Sequence, residues 1–148
     1  TNCTFANYGG TGLSHSSTGT VAMLNYYKPD QYTIYYGALD AVMRNCIVYG
    51  SLDSEIVCDA VPNVAANLRM DHSLLKMGTI REDFVHFTNC IFNTDPIFKD
   101  QSKNDFHLKT GSPAIDAGAS VLGIGTKDLD DNPRINGSAI DIGCYEYQ

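Results

Sequence analysis

Tryptophan is absent from the 148 residues, and basic side chains are scarce: ten Lys and Arg stand against 17 Asp and Glu, a formal net charge of −7. Such an acidic surface repels phosphate backbones, so nucleic acid is not expected as a partner. No apolar run reaches the roughly 18 residues of a membrane-crossing helix, so no transmembrane segment is expected, and no signal peptide is visible. The five cysteines, Cys3, Cys46, Cys58, Cys90 and Cys144, contain no CxxC pair. An odd count forbids full pairing, and a zinc site lacks its usual ligand spacing. GxSxG, GxGxxG and the P-loop are all missing, which removes the common serine-nucleophile and nucleotide signatures. Helical repeats would need stretches of about 10–12 residues with 3.6-residue periodicity, and leucine-rich repeats a leucine ladder; neither occurs.

What is present fits one folded domain: 43% hydrophobic residues, 13 Gly for turns, nine Tyr and six Phe. The chain also repeats itself. Thr1-Asn2-Cys3-Thr4-Phe5, Arg44-Asn45-Cys46-Ile47-Val48 and Thr88-Asn89-Cys90-Ile91-Phe92 are alike, Asp71-His72-Ser73-Leu74-Leu75 is looser, and Leu24-Asn25-Tyr26-Tyr27-Lys28 looser still. Upstream of three of them lie Ala41 and Met43, Leu68 and Met70, and Val85 and Phe87. Period-2 alternation before and after a polar pair reads as strand, bend, strand, with Asn suited to a left-handed bend. The pivots 3, 26, 46, 73 and 90 are spaced by 23, 20, 27 and 17 residues. A unit of about 20 residues implies an all-β solenoid, with a β-sandwich as the alternative.

Stacking at about 4.8 Å per coil would line up an inward ladder of Cys3, Tyr26, Cys46, Ser73 and Cys90. Its cysteines then fall on alternate coils, about 10 Å apart and too far for disulfides, so they read as buried free thiols. The outward row Thr4, Tyr27, Ile47, Leu74 and Ile91 is too apolar to face water and calls for a cover, the C-terminal segment being the simplest. Before the bend the outward row is Val42, Arg69 and His86. The chain starts inside a coil, at Thr1-Asn2-Cys3, so preceding coils of a longer protein are an expected partner.

From residue 93 the style changes. Asp95-Pro96-Ile97-Phe98, Ser112-Pro113-Ala114-Ile115-Asp116-Ala117-Gly118, Asp128-Leu129-Asp130-Asp131-Asn132-Pro133-Arg134 and Asp141-Ile142-Gly143-Cys144-Tyr145-Glu146-Tyr147 follow in order. With the Asn45–Gly50 coil, this series resembles the closing region of bacterial right-handed parallel β-helix proteins of the choice-of-anchor Q type, over roughly residues 40–148. The resemblance implies a pectate-lyase-like right-handed parallel β-helix of few coils, residues 1–92, with a coil-closing and capping segment, 93–148. It also implies export to the bacterial cell surface or beyond. It brings no catalytic residues. Cys144 stands where the family usually has Ala, which makes a reactive thiol conceivable, and Asp131 where Gly is usual, which puts a tight glycine turn in question. Within these blocks Gly118 suits a positive-φ turn, and Arg134 can fork onto Asp141 or Asp116 to pin the tail.

Candidate chemistry is thin. Five tyrosines fall in residues 26–36, and Tyr27, Tyr32, Tyr35 and Tyr36 are candidates for stacking on sugar rings; a tyrosine-rich strand also packs well without ligand. Arg69 and His86 would be outward neighbours about 5 Å apart, able to meet an acidic sugar; the plainer reading is a solvated strand face. Asp128, Asp130 and Asn132 are spaced as in a calcium loop, but without its Gly and distal Glu, and an acidic turn is the plainer reading. His15, His72 and His107 are isolated. No catalytic residue and no cofactor is assigned. The expected function is a non-catalytic secreted or surface β-helix, structural or carbohydrate-contacting. A fragment of a polysaccharide lyase or glycoside hydrolase, and an adhesion module using the row 47/74/91, are the alternatives.

Overall fold

The computed structural model describes residues 1–9, 19–79, 83–120 and 122–148; His15 lies outside them. The described residues form β1 (Thr4–Asn7), β2 (Val21–Leu24), β3 (Tyr26–Tyr27), β4 (Tyr35–Tyr36), β5 (Leu39–Arg44), β6 (Ile47–Gly50) and β7 (Ile56–Asp59). These are followed by β8 (Ala66–Asp71), β9 (Leu74–Leu75), β10 (Val85–Thr88), β11 (Ile91–Phe92), β12 (Phe98–Asp100) and β13 (Asp105–Leu108), with one 3-10 turn at Gln101–Lys103. The fold is all-β. Among the described residues, no helix is long and apolar enough to cross a membrane.

Three sheets are parallel. The first runs β1-β6-β9-β11, the second β2-β7 and the third β5-β8-β10. From β1 to β8 the chain visits first, second and third sheets in turn, twice over; it then runs from β9 in the first sheet to β10 in the third and back to β11 in the first. Register is strict: Thr4, Ile47, Leu74 and Ile91 are successive partners in the first sheet, and Val42, Arg69 and His86 in the third.

The bend between third and first sheets has a local cause. Asn2, Asn45, His72 and Asn89 adopt φ of 55°, 50°, 44° and 49°. Asn tolerates this left-handed geometry because its short amide bonds locally. The side chains then bond up the stack, Asn45 Nδ2 to Asn2 Oδ1 at 3.0 Å and Asn89 Nδ2 to His72 Nε2 at 3.0 Å.

Tyr26 does not belong to the ladder. It pairs with Tyr36 in an antiparallel hairpin, β3-β4, inserted between the second and third sheets. Cys3 and Cys46 therefore precede directly paired strands, with Ile47 N donating to Cys3 O at 2.9 Å. The expected 10 Å separation holds no longer for this pair, which stands one strand spacing apart; Cys46 and Cys90 are still separated by Ser73. All five thiols are free.

Two cores result. One draws Val48 and Leu75 from the first sheet, Ile56 from the second, and Met43, Leu68, Met70 and Val85 from the third. The other lies on the opposite face of the first sheet, where Phe98, Leu108, Ala114 and Ile142 of the C-terminal segment cover Ile47 and Leu74, with Ile91 packed alongside. Each fully buried aliphatic side chain contributes roughly 1.5–3 kcal/mol relative to exposure. The row that called for a cover is closed by the chain itself.

The tail is pinned differently from expectation. Arg134 pairs with Glu146 at 3.1 Å, both side chains buried, and donates to Gly143 O at 3.1 Å. Asp141 and Asp116 are occupied by backbone: Asp141 accepts from Asp116 N and Tyr147 N, and Asp116 from Ala139 N. Gly118 is not a positive-φ turn. It is small because a Cβ there would stand 2.9 Å from Ile140 Cγ1; the left-handed residue is Asp116, at φ 55°. Asp131 likewise takes φ 66° itself, so the turn forms without glycine.

Candidate functional site

The largest exposed aromatic group is the β3-β4 hairpin. Its tip is set by Asp30, whose Oδ1 accepts Tyr32 N at 2.8 Å and Thr33 N at 2.7 Å. These N–H bonds hold the Asp30 carboxyl below the usual carboxylate range. Gly37 N donating to Asn25 O at 3.0 Å closes the base. Tyr26 Oη donates to Asp59 Oδ2 at 2.8 Å and ties the hairpin to β7. That bond, with some burial, raises the Tyr26 phenol above its ordinary value.

Directly opposed residues of an antiparallel pair project to the same side. Tyr27 thus faces the same way as Tyr35, opposite to Tyr26 and its anchor. Tyr27, Tyr32, Tyr35 and Tyr36 are 65, 88, 63 and 62% exposed. The sequence singled out these four, and the structure brings them onto one projection, two residues from the start of β5.

The outward face of the third sheet follows directly. Its rows are Asp40 and Asn67, then Val42, Arg69 and His86, then Arg44, Asp71 and Thr88. Arg69 and His86 are register partners as expected, but Arg69 bonds Asp40 at 3.2 Å. The next row is tied by Arg44 Nε donating to Asp71 Oδ2 at 2.8 Å. Beyond it, at the bend, lies a cleft of about 370 Å³ lined by Arg44, Asp71, His72, Thr88, Ala119 and Leu122. Sequence reasoning treated His72 as isolated and gave Arg44 no role. The signal was His in a column otherwise filled by Asn.

The calcium candidates do not gather as ligands. Asp128 Oδ1 accepts Asp130 N at 2.9 Å and Asn132 N at 2.8 Å, and Oδ2 accepts Glu146 N at 3.0 Å. Burial opposes its charge, but these N–H groups outweigh it and hold the carboxyl below the usual range. N–H donors thus surround the Asp128 carboxylate and shape the turn. Among the described residues, no group of three or more His, Cys, Asp and Glu is placed to hold a metal.

His107, expected to be isolated, is bracketed. Nδ1 meets Asp105 Oδ1 at 2.5 Å, Nε2 meets Asp130 Oδ2 at 2.7 Å, and the ring stacks on Tyr145 at 4.0 Å. Burial disfavours its protonation, yet the two carboxylates prevail and raise its pKa above 6.5. With both nitrogens engaged, it is a clamp rather than a general base. Cys144 is no activated thiol: burial pushes its pKa up, against the bond from the Thr4 hydroxyl that opposes the rise.

Comparison with protein-family models, with curated proteins and with solved structures finds no match to the chain.

Proposed function

We propose that the chain is a segment of a right-handed parallel β-helix of the choice-of-anchor Q, pectate-lyase-like kind, exported to the bacterial surface or beyond, that contacts carbohydrate without transforming it. The repeated returns to the same parallel sheets and the left-handed Asn corner support the solenoid reading.

The carbohydrate reading rests on one observation, the four exposed tyrosines of the hairpin. Exposed aromatic surface on this scale marks a contact site. Tyrosine offers a flat face for a sugar ring and a hydroxyl for its edge, at low cost in side-chain entropy. A non-catalytic role is favoured because the carboxyls on the adjoining face are engaged: Asp40 bonds Arg69 and Asp71 bonds Arg44. Hydrolysis needs two facing carboxyl groups, one of them free to give a proton. An adhesive role through Ile47, Leu74 and Ile91 is disfavoured, since their side chains pack against the C-terminal segment.

The test is a glycan array with the intact chain, followed by affinity measurement on the best polysaccharide. Two stacked rings at about 1 kcal/mol each predict a loss of roughly tenfold to thirtyfold in Tyr27→Ala/Tyr35→Ala. Unchanged binding in that variant, or no glycan bound by the native chain, sinks the reading. Release of unsaturated product from acidic polysaccharides, read by absorbance, would establish the lyase alternative.

A further inference from the structure

We propose that the corner cleft beyond the third sheet is an oxyanion site, taking one carboxylate or sulfate group on the terminal nitrogens of Arg44. It is separate from the tyrosine hairpin and does not depend on it.

The first argument is the exception in the corner column. Asn2, Asn45 and Asn89 fill the left-handed position on three strands, and His72 fills it on the fourth. Asparagine meets every demand of that position. It takes the backbone geometry and bonds its neighbours, as Asn45 does with Asn2 and Ala119. Among the described residues, His72 makes a single side-chain bond, from Asn89, and its Nδ1 is buried without a partner. A bulkier ring with an unspent nitrogen is a departure that the corner itself does not need. Such departures from local consistency concentrate at functional positions.

The second argument is Arg44. Nε is fixed by Asp71, which orients the guanidinium, and the side chain stays 40% exposed. The two terminal nitrogens bond no described group. They stand where two clefts meet, one of about 370 Å³ with His72 and Thr88, the other of about 210 Å³ with Thr1, Asn2 and Gly123, and Leu122 lines both. A pre-oriented guanidinium with free N–H groups matches the two oxygens of a carboxylate or sulfate. The Thr88 hydroxyl adds a third donor on the same register row, and Ala119 and Leu122 give an apolar wall.

The third argument is charge. The chain as a whole carries −7, yet two of its four arginines and two of its four histidines lie on this face and corner. The facing carboxylates, Asp40 and Asp71, are each paired to an arginine. An anion approaching the corner meets donors and no unpaired carboxylate on the sheet face.

The test uses the isotope-labelled intact chain and NMR of the Arg44 Nε–H and the His72 ring. Sodium sulfate and sodium acetate are titrated separately, with sodium chloride at equal ionic strength as reference. Saturable shifts with sulfate or acetate that chloride does not reproduce are expected. Arg44→Met should weaken them at least tenfold. Arg44→Lys, which keeps the charge beside Asp71 and loses the fork, should weaken them less. His72→Asn, which restores the residue of the other three strands, should keep the melting temperature or raise it while weakening binding severalfold. Tyr27→Ala/Tyr35→Ala should leave the shifts unchanged, so this site and the glycan platform fail independently. Competition by alginate, absent with a neutral glucan, would make an acidic glycan the source of the anion; no competition would point to a small free anion. Shifts that chloride reproduces, no saturation, or native affinity in His72→Asn would overturn the proposal.

Discussion

Asn45 grips Ala119 by both edges of its amide: Oδ1 accepts Ala119 N at 2.9 Å, and Nδ2 donates to Ala119 O at 2.9 Å. The residues are 74 apart in sequence. One buried side chain thus sets the bend between two sheets and fastens the C-terminal segment across it. Asn45→Ala is expected to destabilise the chain by about 3 kcal/mol, from a strained left-handed alanine and the unpaired amide groups of Ala119. Asn45→Gly keeps the bend and loses only the bonds, so it should cost less. Urea unfolding of both variants checks this; equal losses would mean that the grip, not the left-handed backbone, carries the effect.

Arg134→Ala should be severe. It leaves Glu146 buried with no cation beside it, a loss that grows toward about 3–5 kcal/mol above about pH 7, where the carboxyl would have to carry its charge, and frees Gly143 O. Glu146→Gln keeps an acceptor for Arg134, whose guanidinium also bonds Gly143 O, so it should be milder. Thermal melts of the two rank them, and a harmless Arg134→Ala would show that the tail is held elsewhere.

The pH dependence follows from two groups. His107 has its pKa raised in the fold, so its clamp is intact below 6.5 and is lost as pH climbs through the higher folded value. Glu146 is pushed by burial from 4.5 to about 7, so the folded state holds its proton longer than the unfolded chain does. Stability then falls between about pH 4.5 and 7 on this account, with the penalty constant above. Both groups make the protein less stable at pH 8 than at pH 6. Urea midpoints across this range test the sum, and the His107 ring titration, with a midpoint above 6.5 that drops in Asp130→Asn, tests the clamp. A flat or rising profile contradicts both assignments.

The thiols should be sluggish. Burial raises the pKa of Cys46, Cys90 and Cys144, and takes Cys58 to about 11. At pH 8 these four should react with a disulfide reagent far more slowly than in denaturant, where all five cysteines count as free. Dithiothreitol should leave the melting temperature unchanged. Fewer than five thiols in the denatured chain would reveal a disulfide.

Much of this architecture was legible because the Asn-Cys-Ile pattern encodes bend and register together. Asn45 and Asn89 announce the left-handed corner, and alternation around them assigns Val42, Arg69 and His86 to one row and Ile47, Leu74 and Ile91 to another. Leu24-Asn25-Tyr26 imitates that pattern, but Asn25 spends its amide on Val61 and Val64. The hairpin that follows lengthens one circuit, which a constant spacing cannot foresee. The anchor partner was hidden because carboxylates at 116, 141 and 146 look alike in sequence, and only packing decides which of them backbone N–H groups have already taken. The corner cleft was out of reach because Ala119 and Leu122 arrive from a segment without periodicity.

During synthesis, the strands bearing Ile47, Leu74 and Ile91 emerge well before Phe98, Leu108, Ala114 and Ile142. Until those later residues leave the ribosome, the nascent chain displays a greasy strip with nothing laid over it, the kind of surface that recruits chaperones or clumps. Expression cut short before Phe98 would leave that strip bare and should give inclusion bodies rather than a smaller folded protein.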